Sequence, residues 1–82
     1  MFEIKDKKLL KEIEDVLGKK VTEETIKELT TLDADGWNIS DLTGLEYAVN
    51  LTELYLNSNQ ISDLTPLAGL TSLTELYLNS NQ

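Results

Sequence analysis

ISDLTGLEYAVNLTELYLNSNQ, residues 39–60, is followed at once by ISDLTPLAGLTSLTELYLNSNQ, residues 61–82. Sixteen of the 22 aligned positions are identical, among them the whole run LTELYLNSNQ. Self-similarity at a fixed period of this length marks a chain built from stacked units, each too small to bury its own apolar face. Within the unit, Leu51–Asn59 and Leu73–Asn81 both read L-x-x-L-x-L-x-x-N. Leu54 and Leu56 alternate with Glu53, Tyr55 and Asn57, which is the period of a half-buried strand, so the leucines point inward and the other three outward. Asn59 and Asn81 follow where the chain must turn, and a buried amide there can bond backbone groups that otherwise lack partners. On the return, Leu42, Leu45, Ala48 and Leu51, then Leu64, Leu67, Leu70 and Leu73, recur every third residue. That spacing suits 3-10 turns, whose side chains at i and i+3 eclipse.

Working toward the N-terminus, LTTLDADGWNI at 29–39 aligns under LTELYLNSNQI as a degenerate first strand. Leu29, Leu32 and Ile39 keep their places, Ala34 replaces a leucine, and Trp37 replaces the recurrent asparagine. Trp37 is expected to fill the junction between the repeats and whatever precedes them, as large aromatics do in small domains. Residues 5–18 read as a helix: Asp6 as N-cap, an apolar stripe of Leu9, Leu10, Ile13, Val16 and Leu17, and Gly18 as the left-handed stop. A second, shorter helix is expected at about 22–28, with Thr22 as N-cap and Val21 and Ile26 as a hydrophobic staple.

The DLTPL turn and the LxxLxLxxN strand closely resemble the 22-residue leucine-rich repeats of bacterial internalin-like proteins. LLKEIEDVLGKKVTEETIKELTTLDA resembles the helical cap that precedes such repeats. The resemblance implies an α/β, right-handed solenoid with a helical N-terminal cap, a short parallel sheet of about three strands and a convex side of 3-10 turns and loops. It divides the chain into a cap with the degenerate strand (residues 1–38), a first repeat (39–60) and a second (61–82) within one structural domain. It also implies protein binding on the concave sheet. The matching positions are Thr31, Glu53 and Glu75; Asp33, Tyr55 and Tyr77; and Asp35, Asn57 and Asn79. For localisation, it implies a parent protein at the bacterial surface or secreted. Two features depart from the family: only two full repeats, and no C-terminal cap. Near-identical exposed positions also point to a consensus-like or truncated engineered module, because evolved recognition surfaces vary from repeat to repeat.

Composition narrows the chemistry. The chain has no Cys and no His, which removes disulfides, thiolate metal sites and the usual nucleophile pairs. No EF-hand loop fits Asp33-Ala34-Asp35-Gly36, because the glycine comes too early and position 12 would be Gly44. Neither a cofactor nor an enzymatic reaction is expected. The charged start and the lack of a long apolar run give no targeting signal and no membrane span. The formal charge is −8, and all seven Lys lie between Lys5 and Lys27. From Leu29 onward there are seven acidic residues and no basic one, which argues against nucleic acid as a partner. The same acidity reads either as a site for a basic partner or, more ordinarily, as solubility through net charge. Tyr55 and Tyr77 likewise read either as an aromatic platform for a partner or as a ladder that holds the sheet.

With no coil beyond the second copy, Ile61, Leu64, Leu67, Leu70, Leu73, Leu76 and Leu78 are expected to form an apolar end face. The strand at 75–78 would be an open edge. Repeat proteins need terminal caps for this reason. The expected remedy is a homodimer through the C-terminal repeat, last strands antiparallel across a two-fold axis.

Overall fold

The computed structural model describes residues 2–81; Gln82, the last residue of the second repeat, lies outside them. Three short strands, β1 (Thr31–Asp33), β2 (Glu53–Tyr55) and β3 (Glu75–Tyr77), form one parallel sheet in sequence order. The register repeats without slippage: Thr31 pairs with Glu53 and Glu53 with Glu75, and Asp33 pairs with Tyr55 and Tyr55 with Tyr77. A sheet whose neighbours are 22 residues apart follows directly from the repeat length. On the opposite side run the 3-10 turns Leu45–Tyr47 and Thr65–Leu67, as the three-residue leucine spacing predicts. Between the two sides lies a core that includes Leu32, Leu42, Leu45, Leu51, Leu54 and Leu56, all buried.

Asparagines tie the coils together. Among the described residues Asn59 is the one polar residue that is buried. Its Oδ1 accepts from the N–H of Trp37 and Ile39 at 3.1 and 2.9 Å, and its Nδ2 donates to the carbonyls of Ala34 and Asn57. Asn81 repeats the pattern one coil on, accepting from Ile61 and donating to Leu56, Leu78 and Asn79. Threonines add a second set of bonds, Thr52 Oγ1 donating to the Thr30 carbonyl and Thr74 Oγ1 to that of Thr52. The asparagines partner turn groups outside the strand ladder, whereas the Thr30 and Thr52 carbonyls already accept backbone N–H groups of the next coil and the threonine hydroxyls reinforce those links.

Helix α1 (Lys7–Leu17) closes the N-terminal end, with Asp6 as N-cap and Gly18 at φ 71° as its stop. Leu9 and Ile13 are buried beneath it and Leu10 and Leu17 pack at the margin, but Val16 is exposed, at the edge of the stripe rather than in it. The second helix is shorter than its pattern suggests. Only Thr25–Glu28 forms, as a 3-10 turn. Thr22 and Thr25 exchange bonds: Thr25 N–H donates to Thr22 Oγ1 and Thr22 N–H to Thr25 Oγ1, while Val21 and Ile26 are buried as a staple requires. Trp37 does not fill the junction; it is 48% exposed. The asparagine that it replaces works by reaching the turn of a preceding coil, and no repeat coil precedes the first. Core volume at that end comes from Leu9, Ile13 and Ile26 instead.

Several differences between the two repeats have a common cause. Gly44 stands where the second repeat has Pro66, and its φ is 104°. A Cβ there would collide with the Glu3 carbonyl oxygen and come within 2.6 Å of Ile4 Cδ1. Tyr47, Gly69 in the second repeat, meets Phe2 edge-on at 5.2 Å. Asn50, Ser72 in the second repeat, donates from Nδ2 to the Lys27 carbonyl. The first repeat thus departs from the second where the N-terminal segment lies against it.

Candidate functional site

Glu53, Tyr55, Glu75 and Tyr77 alternate with the buried Leu54 and the inward Leu76, so period-two strands place the four on the open face of the sheet. Parallel in-register pairing then sets like beside like. The rings of Tyr55 and Tyr77 stack with centroids 4.8 Å apart and planes 10° from parallel. Each hydroxyl donates to the glutamate of its own strand, Tyr55 to Glu53 Oε1 and Tyr77 to Glu75 Oε1, both at 2.9 Å. These bonds fix the rings at both ends. The Glu53 carboxylate that accepts from it, then desolvation and the further charge of Glu75, push the Tyr55 phenol up to about 12. The Tyr77 phenol is raised for the same first reason, its bond to Glu75. Both remain neutral donors at physiological pH. Thr31 and Asp33 extend the same two columns onto β1 and are exposed.

Asp35, Asn57 and Asn79 fall just beyond the strands and have a structural task. Asp35 Oδ1 accepts from the Asn57 N–H at 2.6 Å, and Asn57 Oδ1 accepts from the Asn79 N–H at 2.7 Å. The side chains of Asp35 and Asn57 join one coil to the next, whereas Asn79 contributes its N–H and keeps its side chain exposed, so the two columns on the strands are the freer surface. The signal for this was available in the sequence, since an acceptor side chain recurs at each of the three positions.

The C-terminal end is the second candidate surface. Ile61, Leu67 and Leu70 are buried within the chain, Leu73 and Leu78 are half-buried, and Leu64 and Leu76 are exposed. The contrast between equivalent residues is large: Leu54 is 0% exposed and Leu76 39%. Leu56 N–H donates to the Tyr77 carbonyl and Ser58 N–H to that of Asn79. Their counterparts, the N–H groups of Leu78 and Ser80, have no hydrogen-bond partner among the described residues.

On the convex side a depression of 330 Å³ is lined by Thr43, Glu46, Asp63, Thr65 and Pro66. Its carboxylates are engaged locally. Asp63 accepts from the Thr65 N–H and Glu46 from that of Gly44. No group of three or more metal-ligating side chains gathers anywhere among the described residues. No helix among them is long and apolar enough to cross a membrane.

A family model of leucine-rich repeats in two copies matches residues 49–82. Among solved structures, internalin InlF from Listeria monocytogenes superposes on 96% of the chain with a TM-score of 0.91 and 38% identity. Internalin InlC2 from the same organism superposes on 95% with a TM-score of 0.90 and 36% identity. A Clostridium perfringens ZmpB fragment with its CBM51-2 and INT domains superposes on 92% at 0.82 and 43% identity. The chain spans 25%, 37% and 16% of these three proteins, respectively. No curated protein sequence matches it.

Proposed function

The chain is an internalin-like leucine-rich-repeat protein, a scaffold of the protein-interaction type, and we propose that its 82 residues act by binding protein and not by catalysis, with a second copy as the first partner. One observation carries the reading: Leu76 is exposed where its counterpart Leu54 is fully buried. With Leu76 39% exposed, covering it is worth about 1 kcal/mol. Leu64, Leu73 and Leu78 add to the same face. The N–H groups of Leu78 and Ser80, without a partner among the described residues, suit an incoming strand. In a two-fold dimer with β3 antiparallel to its mate, each copy would cover the other's leucines, and Glu75 would lie opposite the partner's Tyr77 rather than a like charge. The near-identity of the two repeats outside the cap contacts supports a consensus-like, engineered origin, since consensus repeats stack readily.

Sedimentation velocity across micromolar concentrations tests this reading. A dimer that dissociates on dilution, and that Leu76→Lys converts to monomer with its fold intact, is the expected result. A folded monomer throughout the range overturns it.

A second reading, favoured by the fixed Tyr55–Tyr77 stack, makes the open face of the sheet an additional binding surface. Loss of a partner on Tyr55→Ala together with Tyr77→Ala supports it, and no change counts against it.

A further inference from the structure

We propose that the open face of the sheet receives a short, extended, arginine-bearing segment of a partner protein, laid across β2 and β3; this rests on the reading of that face as a binding surface. Three observations converge on the partner's chemistry. First, in-register pairing sets Glu53 beside Glu75 on neighbouring strands, with Asp33 on the next column. Strands of a sheet lie about 4.8 Å apart, and like charges that close oppose each other. No cation of the chain relieves them. Among the described residues the salt bridges are Lys11–Asp15 and Lys19–Glu28, both in the N-terminal segment, and no basic residue follows Lys27. Second, the Tyr hydroxyls engage only Oε1 of each glutamate, and Oε2 of each has no hydrogen-bond partner among the described residues. Third, the two rings are held by those bonds and by their own stacking, so they present a preformed aromatic surface that loses little freedom when covered.

A guanidinium satisfies all three. It is planar, donates in a fork that matches a carboxylate, and lies favourably against a tyrosine ring. An ammonium supplies the charge and a donor but neither the planar fork nor a flat face to lay on the ring. Nucleic acid and anionic membrane carry the wrong sign. The occupant is a segment rather than a folded domain because of width. The Glu–Tyr columns of β2 and β3 lie only about 4.8 Å apart, in a single copy and in the dimer alike, whereas a standard interface covers about 800 Å² on each partner. In an extended segment, side chains i and i+2 point to one face about 6.6 Å apart, close enough for two arginines to reach Glu53 and Glu75 together.

Four fluorescently labelled 12-residue peptides test the proposal by anisotropy: arginine-rich, lysine-rich, neutral glycine-serine, and aspartate-rich. The expected ranking is arginine over lysine by about 3-fold or more, consistent with the ring contact, with no binding of the other two. Raising salt should weaken the complex. Glu53→Gln with Glu75→Gln keeps an acceptor for each tyrosine and removes only the charge; it should weaken the arginine peptide about 10-fold or more. Glu12→Gln with Asp15→Asn on α1, a control of equal charge, should leave it unchanged. Equal binding of arginine and lysine peptides, or equal loss in the α1 control, overturns the proposal in favour of diffuse attraction. If the neutral peptide binds and depends on Tyr55 and Tyr77, the face is a binding surface but not for a basic partner. If nothing binds, the underlying reading falls with it. Circular dichroism on each variant confirms that the fold is kept.

Discussion

Asp6 and Ser40, 34 residues apart in sequence, are joined through one carboxylate oxygen: Asp6 Oδ2 accepts from the Ser40 N–H at 3.0 Å. The same oxygen accepts from Asp41, and Oδ1 accepts from Lys8 and Leu9 at the start of α1. A residue that caps the helix therefore also fastens the helix to the first turn of the first repeat. Burial pushes the carboxyl up, but the four N–H donors, Ser40 foremost, outweigh it and hold the pKa below 3.8. A depressed folded pKa gives stability that is complete above the unfolded value of 3.8 and is lost as pH falls through the folded one. Asp41, held low by the Thr43 hydroxyl and N–H, acts in the same direction. Melting temperature is expected to be flat from pH 7 to 5 and to fall below pH 4. Asp6→Asn should flatten part of that acid limb, and Asp6→Ala should cost about 1–2 kcal/mol at neutral pH, at or above the ordinary loss of a cap. Thermal melts at four pH values check both.

Gly44→Ala should destabilise by more than about 1 kcal/mol, since its φ is positive and the added carbon meets the Glu3 carbonyl. Gly69→Ala is the control. It has no atom within 4 Å of the new carbon, and its effect should be near zero or slightly stabilising. Chemical denaturation of the two variants side by side measures the difference.

Much of the solenoid was legible because a repeat states each rule twice. The alternation of Leu54 and Leu56 with Tyr55, the three-residue spacing of Leu42, Leu45 and Ala48, and the recurrent Asn59 each carry a period, and each sits where that period puts it. The contacts of the N-terminal segment carry none. Gly44 beneath Glu3 and Asp6 across to Ser40 join residues far apart in sequence, and no local pattern announces them. Trp37 stays outside the core for a related reason: it aligns with Asn59, but the preceding coil that makes that position interior is missing at the first coil. On the candidate surfaces, sequence gave the outward columns, while geometry reassigned Asp35 and Asn57 to joining coils and withdrew Ile61, Leu67 and Leu70 into the core.

Asn59→Ala leaves the N–H groups of Trp37 and Ile39 and the Ala34 carbonyl without their partner. Each buried group left unsatisfied costs about 1–3 kcal/mol, so the expected loss is about 3 kcal/mol or more. Asn81→Ala should cost less, because that asparagine is only half-buried and solvent can reach its partners. Urea titration of both variants gives the comparison.

Leu54→Ala should cost about 2–5 kcal/mol as a core truncation. Leu76→Ala, at the equivalent place on β3, should cost the monomer less than half as much while weakening self-association. Stability read at low concentration and dissociation read by sedimentation separate the two effects.

The tyrosines offer an alkaline test. A phenol whose folded pKa is raised contributes stability that is present below its unfolded value near 10 and is lost as pH rises through the folded one. Ultraviolet titration should show Tyr55 ionising near 12, chiefly because Glu53 accepts from it, with Tyr77 also above 10. Glu53→Gln should bring Tyr55 back toward 10, and an unchanged midpoint would contradict the assigned cause.

The adaptations to the N-terminal segment, at Gly44, Tyr47 and Asn50, are confined to one repeat. The boundary between Gln60 and Ile61 is consequently a splice point. A further 22 residues copied from 61–82 and inserted there would find an asparagine, a threonine carbonyl and a tyrosine ring waiting on one side, and would present the same three on the other. Length is thus a free variable of this molecule: it can be counted out in whole units while its two ends stay the same.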